Sequence, residues 1–168
     1  ASDVYKRQSM LHKQGFERYE ISNYAKPGYE CRHNIGYWTG IEYLGLGLGA
    51  SSYIQGFRFH NESDLSLYDK IQMTGTDADE KLHQEITKLS DKEKMEEFMF
   101  LGLRMMEGVS GTDFFSRFGQ NMWNVYGTVI ERLEQQGLLE VEMPVIRLTE
   151  QGIDVSNRVL SQFLLCLL

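Results

Sequence analysis

The run Tyr43-Leu-Gly-Leu-Gly-Leu-Gly-Ala50 places glycine at every second position of an apolar segment. A period of two predicts a strand, and glycine along one face lets another strand or a bulky ligand approach the backbone closely. Such a strand has little to bury by itself, so a free-standing hairpin is excluded and a larger sheet is required. The 168 residues suffice for one good core and a small second unit. With 42% hydrophobic and 24% charged residues, the composition is that of a globular chain, and neither a disordered tail nor a membrane span accounts for most of it.

The spacing Gly45-x-Gly47-x-Gly49 departs from the dinucleotide fingerprint, and no lysine follows as in a phosphate-binding loop. Close backbone approach is therefore the reading of these glycines. Other strand-like segments are Arg18 to Asn23 and Phe57 to His60, with turn signals at Lys26-Pro27-Gly28 and Gln55-Gly56. Residues 1–8 carry no apolar period and are read as a non-native or disordered leader. Asn61 or Ser63 is a candidate cap for a short helix through Leu65, Tyr68 and Ile71, after which residues 76–89 read as a linker.

Helices dominate from residue 90 to residue 168. Ser90-Asp-Lys-Glu93 has the spacing of a capping box and opens a helix with Met95, Phe98, Leu101 and Met105 facing inward. A second helix is expected over Thr112–Phe118 and a third over Met122–Gln136, carrying Tyr126, Val129, Ile130 and Leu133 and stopped by Gly137. Leu138–Val141 and Val145–Leu148 read as a hairpin, and Thr149 opens a last helix to about Leu164. Helix, helix, helix, hairpin, helix is the order of a winged-helix-like module.

Charge decides against nucleic acid as its partner. Residues 61–168 hold ten Lys/Arg against nineteen Asp/Glu, and the third helix offers Arg132 between Glu131 and Glu134. A reading helix needs a basic surface for phosphates and guanines. Phe163–Leu168 is too short to cross a bilayer, and the first residues lack the apolar core of a signal peptide, which predicts cytoplasmic residence. Cys31 and Cys166 lie too far apart in sequence to suggest a local metal knuckle, and both read as free thiols.

Cys31-Arg-His-Asn-Ile-Gly-Tyr-Trp38 gathers an imidazole, an amide and two large aromatics into a loop before the glycine run. Imidazole ligates iron or moves protons, Asn34 can orient a polar ligand edge, and Tyr37 and Trp38 offer flat apolar surface to a planar ring system. The alternative is that Tyr37 and Trp38 close the core while His33 caps a loop carbonyl. His12, His60 and His83 stand apart from each other and from any carboxylate pair at ligand spacing, and read as surface or satisfied histidines.

Three blocks carry a family resemblance: Gly15-Phe-Glu-Arg-Tyr-Glu-Ile-Ser-Asn-Tyr-Ala-Lys-Pro-Gly28, His33-Asn-x-x-Tyr-Trp38, and Tyr43-x-Gly-x-Gly-x-Gly-Ala-x-Ser-Tyr53. They resemble the oxygen-independent coproporphyrinogen III oxidase-like family of radical S-adenosylmethionine (SAM) proteins, and the second block resembles its heme-chaperone (HemW-type) branch. Phe100-Leu-Gly-Leu-Arg104, Gly108-Val109, Gly137-Leu138-Leu139 and Leu148-Thr-x-x-Gly-Ile-Asp-Val-Ser-Asn157 resemble the family's C-terminal domain.

The resemblance implies an α+β fold: the closing strands of a partial TIM-like barrel over residues 9–75, followed by a mainly helical, winged-helix-like domain over 90–168. It implies a four-iron four-sulfur (4Fe-4S) cluster and SAM in an intact family protein. The Cys-x-x-x-Cys-x-x-Cys and Gly-Gly-Thr-Pro-like motifs that hold them do not occur in this sequence. The chain is thus expected to be a C-terminal fragment that neither binds the cluster nor cleaves SAM by itself. The resemblance also implies heme or porphyrin as ligand and heme-acceptor proteins as partners. It assigns ligand contact to His33, Asn34, Tyr37, Trp38, Gly47, Gly49, Ala50 and Ser51, with His33 the candidate heme-iron ligand. Two other functions stay open: oxidative decarboxylation of coproporphyrinogen III, and an acidic protein-binding module presenting the hairpin and terminal helix.

Overall fold

The computed structural model of the chain describes residues 2–71 and 81–164. They fall into two compact units, one made of residues 1–40 with 94–168 and the other of residues 41–93. The fold is mixed α/β. The chain opens with helix α1 (Ser2–Lys13), the two-residue strands β1 (Glu17–Arg18) and β2 (Tyr24–Ala25), and helix α2 (Arg32–Trp38). Residues 2–8, expected to be structureless, thus belong to a helix. The strand expected over Arg18 to Asn23 shrinks to a ladder pairing Glu17 with Ala25 and Arg18 with Tyr24, because residues 19–23 turn between the two halves.

The second unit contains β3 (Ser51–Ile54), β4 (Phe57–Asn61), α3 (Leu65–Tyr68) and β5 (His83–Lys88). Its sheet runs β3-β4-β5 with both pairings antiparallel. Part of the expected linker is therefore a strand, and its residues 76–80 lie outside the described residues. The cap of α3 is neither Asn61 nor Ser63 but Asp64, whose carboxylate accepts from the amides of Ser66 and Leu67.

Helix α4 (Asp91–Gly102) follows, then β6 (Val109–Ser110), α5 (Gly111–Phe118) and α6 (Met122–Gln135). The capping box forms in both directions: Glu93 Oε2 accepts from Ser90 N and Oγ at 2.8 and 2.7 Å, and Ser90 Oγ accepts from Glu93 N at 3.3 Å. Helix α6 buries Met122, Tyr126, Val129, Ile130 and Leu133, the stripe its period predicts. The hairpin β7 (Leu139–Glu142) and β8 (Val145–Leu148) also forms. Its inner strand β8 gains a second partner that sequence reading missed, giving the order β6-β8-β7. The expected last helix is broken into α7 (Glu150–Asp154), α8 (Ser156–Leu160) and a 3-10 turn (Ser161–Phe163), because Val155 leaves helical geometry at φ −116 and ψ 27.

The core of the first unit is an aromatic chain wrapped in aliphatic side chains. Phe114 lies 5.5 Å from Phe98, 4.8 Å from Phe118 and 6.0 Å from Tyr126, and Tyr126 lies 5.5 Å from Phe163. Met99, Leu103, Ile146, Val159 and Leu160 close around them, fully shielded from solvent. Each large apolar side chain so buried contributes roughly 1.5–3 kcal/mol. Burial and the nearby Glu96 carboxylate push the Tyr126 phenol well above its ordinary pKa, so it stays neutral across the physiological range.

Candidate functional site

The segment expected to be a loop at Arg32–Trp38 is helix α2, with no side-chain cap at Cys31. Helical spacing brings residues four apart onto one face, and His33 and Tyr37 meet edge to face with ring centroids 4.7 Å apart. Both are exposed, while Asn34 and Trp38 are half-buried. The two aromatic positions therefore divide. Tyr37 faces solvent beside His33, and Trp38 turns inward beneath the Arg104 guanidinium, 4.3 Å from its ring centroid.

Arg104 belongs to a small charged cluster that sequence reading missed. Its guanidinium lies 3.7 Å from Glu20 Oε2, a carboxylate fully shielded from solvent. The other oxygen, Glu20 Oε1, accepts from Ser22 N at 3.0 Å and Asn23 Nδ2 at 2.5 Å. The backbones are tied as well: Ile21 N donates to Arg104 O at 3.0 Å, and Met106 N donates to Tyr19 O at 3.1 Å. At the end of α2, Thr39 Oγ1 donates back to Ile35 O at 2.8 Å, and Arg117 Nη1 donates to Thr39 O at 3.0 Å. Glu20 and Arg104 both stand inside family-like blocks of the sequence. Nothing in their spacing signals that they meet, because 83 residues separate them.

The remaining expected contacts, Gly47, Gly49, Ala50 and Ser51, lie in the second unit. Here the strand expectation is corrected. Residues 44–50 are a loop outside the strands; the preceding Tyr43 bonds reciprocally to Tyr53 through its N–H and C=O, and Leu44, Leu46 and Leu48 are exposed. The glycines serve different needs. Gly45 is where backbones press together, since a Cβ there would sit 2.2 Å from Ser51 O. Gly47 and Gly49 instead adopt φ of +100 and +64, which L side chains rarely do. A turning backbone cannot keep glycine on one face of a strand, so the alternation did not mean an extended segment.

Two buried side chains hold this loop in place. Ser52 Oγ accepts from Gly45 N at 3.0 Å, and Asn61 Nδ2 donates to Gly47 O at 2.8 Å and Gly45 O at 3.3 Å. Ala50 O accepts from Asn61 N at 2.9 Å, and Ser51 pairs with His60 at the start of β3. His60 Nδ1 lies 2.8 Å from Asn61 O, and the His83 ring lies tilted against Phe59 with centroids 4.4 Å apart.

Residues 89–155 match the family model described as the HemN C-terminal domain. The chain is 38% identical over 165 residues to the heme chaperone HemW of Lactococcus lactis subsp. lactis (strain IL1403), covering 98% of this chain and 42% of that protein. Its identity to the heme chaperone HemW of Bacillus subtilis (strain 168) is 35% over 157 residues, covering 93% and 40%. Among solved structures it resembles coproporphyrinogen III oxidase (HemN) from Escherichia coli, a radical SAM enzyme, with a TM-score of 0.70, 14% identity, and coverage of 96% of this chain and 40% of that one. That likeness concerns the fold. The chain belongs to the HemW/HemN-like radical SAM proteins. Within them its sequence similarity runs to the heme chaperones, and it spans about two fifths of their length.

Radical SAM proteins imply a 4Fe-4S cluster, which thiolates hold. Cys31 is exposed on its own, and among the described residues no three His, Cys, Asp or Glu side chains converge to bind a metal ion. The residues described here do not fit that cluster. No helix among the described residues is long and apolar enough to cross a membrane.

Proposed function

We propose that this chain is the C-terminal part of a heme chaperone of the radical SAM family, which binds heme and passes it to acceptor proteins. The observation that carries the reading is the exposed His33–Tyr37 pair on α2. Heme is cargo here, so its ligand must be reachable and releasable. An imidazole exposed at the surface with the Tyr37 ring beside it meets that requirement. The 38% identity to a heme chaperone over nearly the whole chain supports the same reading. In this proposal His33 supplies the iron ligand, Tyr37 flanks the macrocycle, and Asn34 contacts its polar edge. Trp38 is assigned to support because its face is covered by Arg104.

Gly47, Gly49, Ala50 and Ser51 are proposed as backbone contacts of the intact protein's SAM or substrate region. The order α4, β6, α5, α6, β7, β8, with β6 beside β8, supports a winged-helix-like module over 90–168. The barrel reading of residues 9–75 is carried with one change: the strand pairings described there are antiparallel, so this stretch would close a barrel with hairpins rather than with parallel βα units.

Hemin titration of the chain and of its His33→Ala variant tests the assignment. The variant is expected to shift the Soret band and to weaken binding about tenfold or more, the loss of one iron–imidazole bond. An unchanged Soret band with unchanged affinity would remove His33 from the role.

A further inference from the structure

We infer that Arg104 and Arg117 are positioning residues that grip the C-terminal end of α2, so that the domain matching HemN's C-terminal domain sets the orientation of the helix presenting His33 and Tyr37. Three observations converge on that grip. Arg104 stacks on Trp38 at 4.3 Å, the last residue of α2. Arg117 donates to Thr39 O, the carbonyl immediately beyond it. Glu20, buried and aimed at Arg104, gives that guanidinium a fixed counter-charge.

The physical reasons are specific to arginine. A short helix of seven residues is marginal in isolation and takes its stability from its packing. In its last turn Ile35 O and Tyr37 O accept from the Thr39 and Gly40 amides, and Arg117 serves the carbonyl just beyond, Thr39 O, where a cation suits the helix dipole. A planar guanidinium can lie flat on an indole and still direct its edge to a carboxylate, which an ammonium cannot do. The Arg104 backbone is held separately by Ile21 N, so changing its side chain leaves the chain path fixed.

Tyr37 stands immediately before Trp38 and His33 one helical turn before Tyr37, so loosening that end frees the pair that the proposed function uses. The heme consequence rests on that function; the grip itself does not. Hydrogen exchange separates the two. In Arg104→Lys, and additively with Arg117→Gln, amides of residues 35–40 are expected to exchange about tenfold faster, while those of residues 122–135 keep their wild-type rates. In a Trp123→Phe background, Trp38 emission should shift as its covering guanidinium leaves. Hemin affinity should fall with the same variants. Faster exchange in α2 with hemin binding indifferent to both Arg104→Lys and His33→Ala keeps the grip and removes the heme reading. Unchanged α2 exchange and emission, or equal acceleration in α2 and α6, would overturn the grip.

Discussion

A methyl group at position 108 would have no room. Its Cβ would lie 2.0 Å from Ile146 O and 2.8 Å from the Arg147 Cβ, on a backbone already at φ +75. Gly108→Ala is therefore expected to cost about 3 kcal/mol, from positive-φ strain plus displacement of β8, measured as a drop in the denaturant midpoint at constant slope. Asn61 governs a different feature. Its Nδ2 is the donor for two glycine-loop carbonyls, so Asn61→Ala strands Gly47 O and Gly45 O and should cost roughly 1–3 kcal/mol, with faster exchange of the Gly45 and Gly49 amides. At this scale the sequence was readable where chemistry is local. Ser90 and Glu93 stand three apart and form the capping box their spacing predicts. Asn61 was read as a helix cap because its actual partners lie 14 and 16 residues earlier in the chain.

Elements with strong period and capping were legible, and those shaped by remote contacts were not. Helix α6 and the β7–β8 hairpin fall where apolar spacing and Gly137 place them. Strand β6, two residues long, exists only because β8 lies beside it, and α2 has no cap or apolar stripe to reveal it. The start of α4 yields a prediction with a definite sign. Hydrogen bonds from the Ser90 hydroxyl and then its amide hold the Glu93 carboxyl below its usual range. The stabilisation is present above the ordinary carboxylate range and is lost as pH falls through the lowered folded value. Thermal melts taken from neutral to acid pH should show that loss, and Glu93→Gln should flatten that part of the profile.

For the molecule as a whole, stability in the first unit is concentrated in one aromatic chain. Phe114→Ala removes its central ring and is expected to cost about 3–5 kcal/mol, read as a lower unfolding temperature with cooperative loss of the near-ultraviolet signal. The family was legible because its blocks occur in order along the chain. The joining of residues 1–40 to 94–168 was not, since the tie between residues 19–21 and 104–106 is made of backbone hydrogen bonds and leaves no periodic trace.

That tie bears on where the gene can be cut. Sequence similarity marks residues 89–155 as a portable domain, yet Val159, Leu160 and Phe163 complete its interior from beyond the downstream limit. The peptide around Tyr19 and Ile21 completes its edge from far upstream. A clone trimmed to the similarity limits would leave polar backbone stranded at 104–106 and an open hydrophobic socket at Tyr126, so soluble expression calls for packing limits instead.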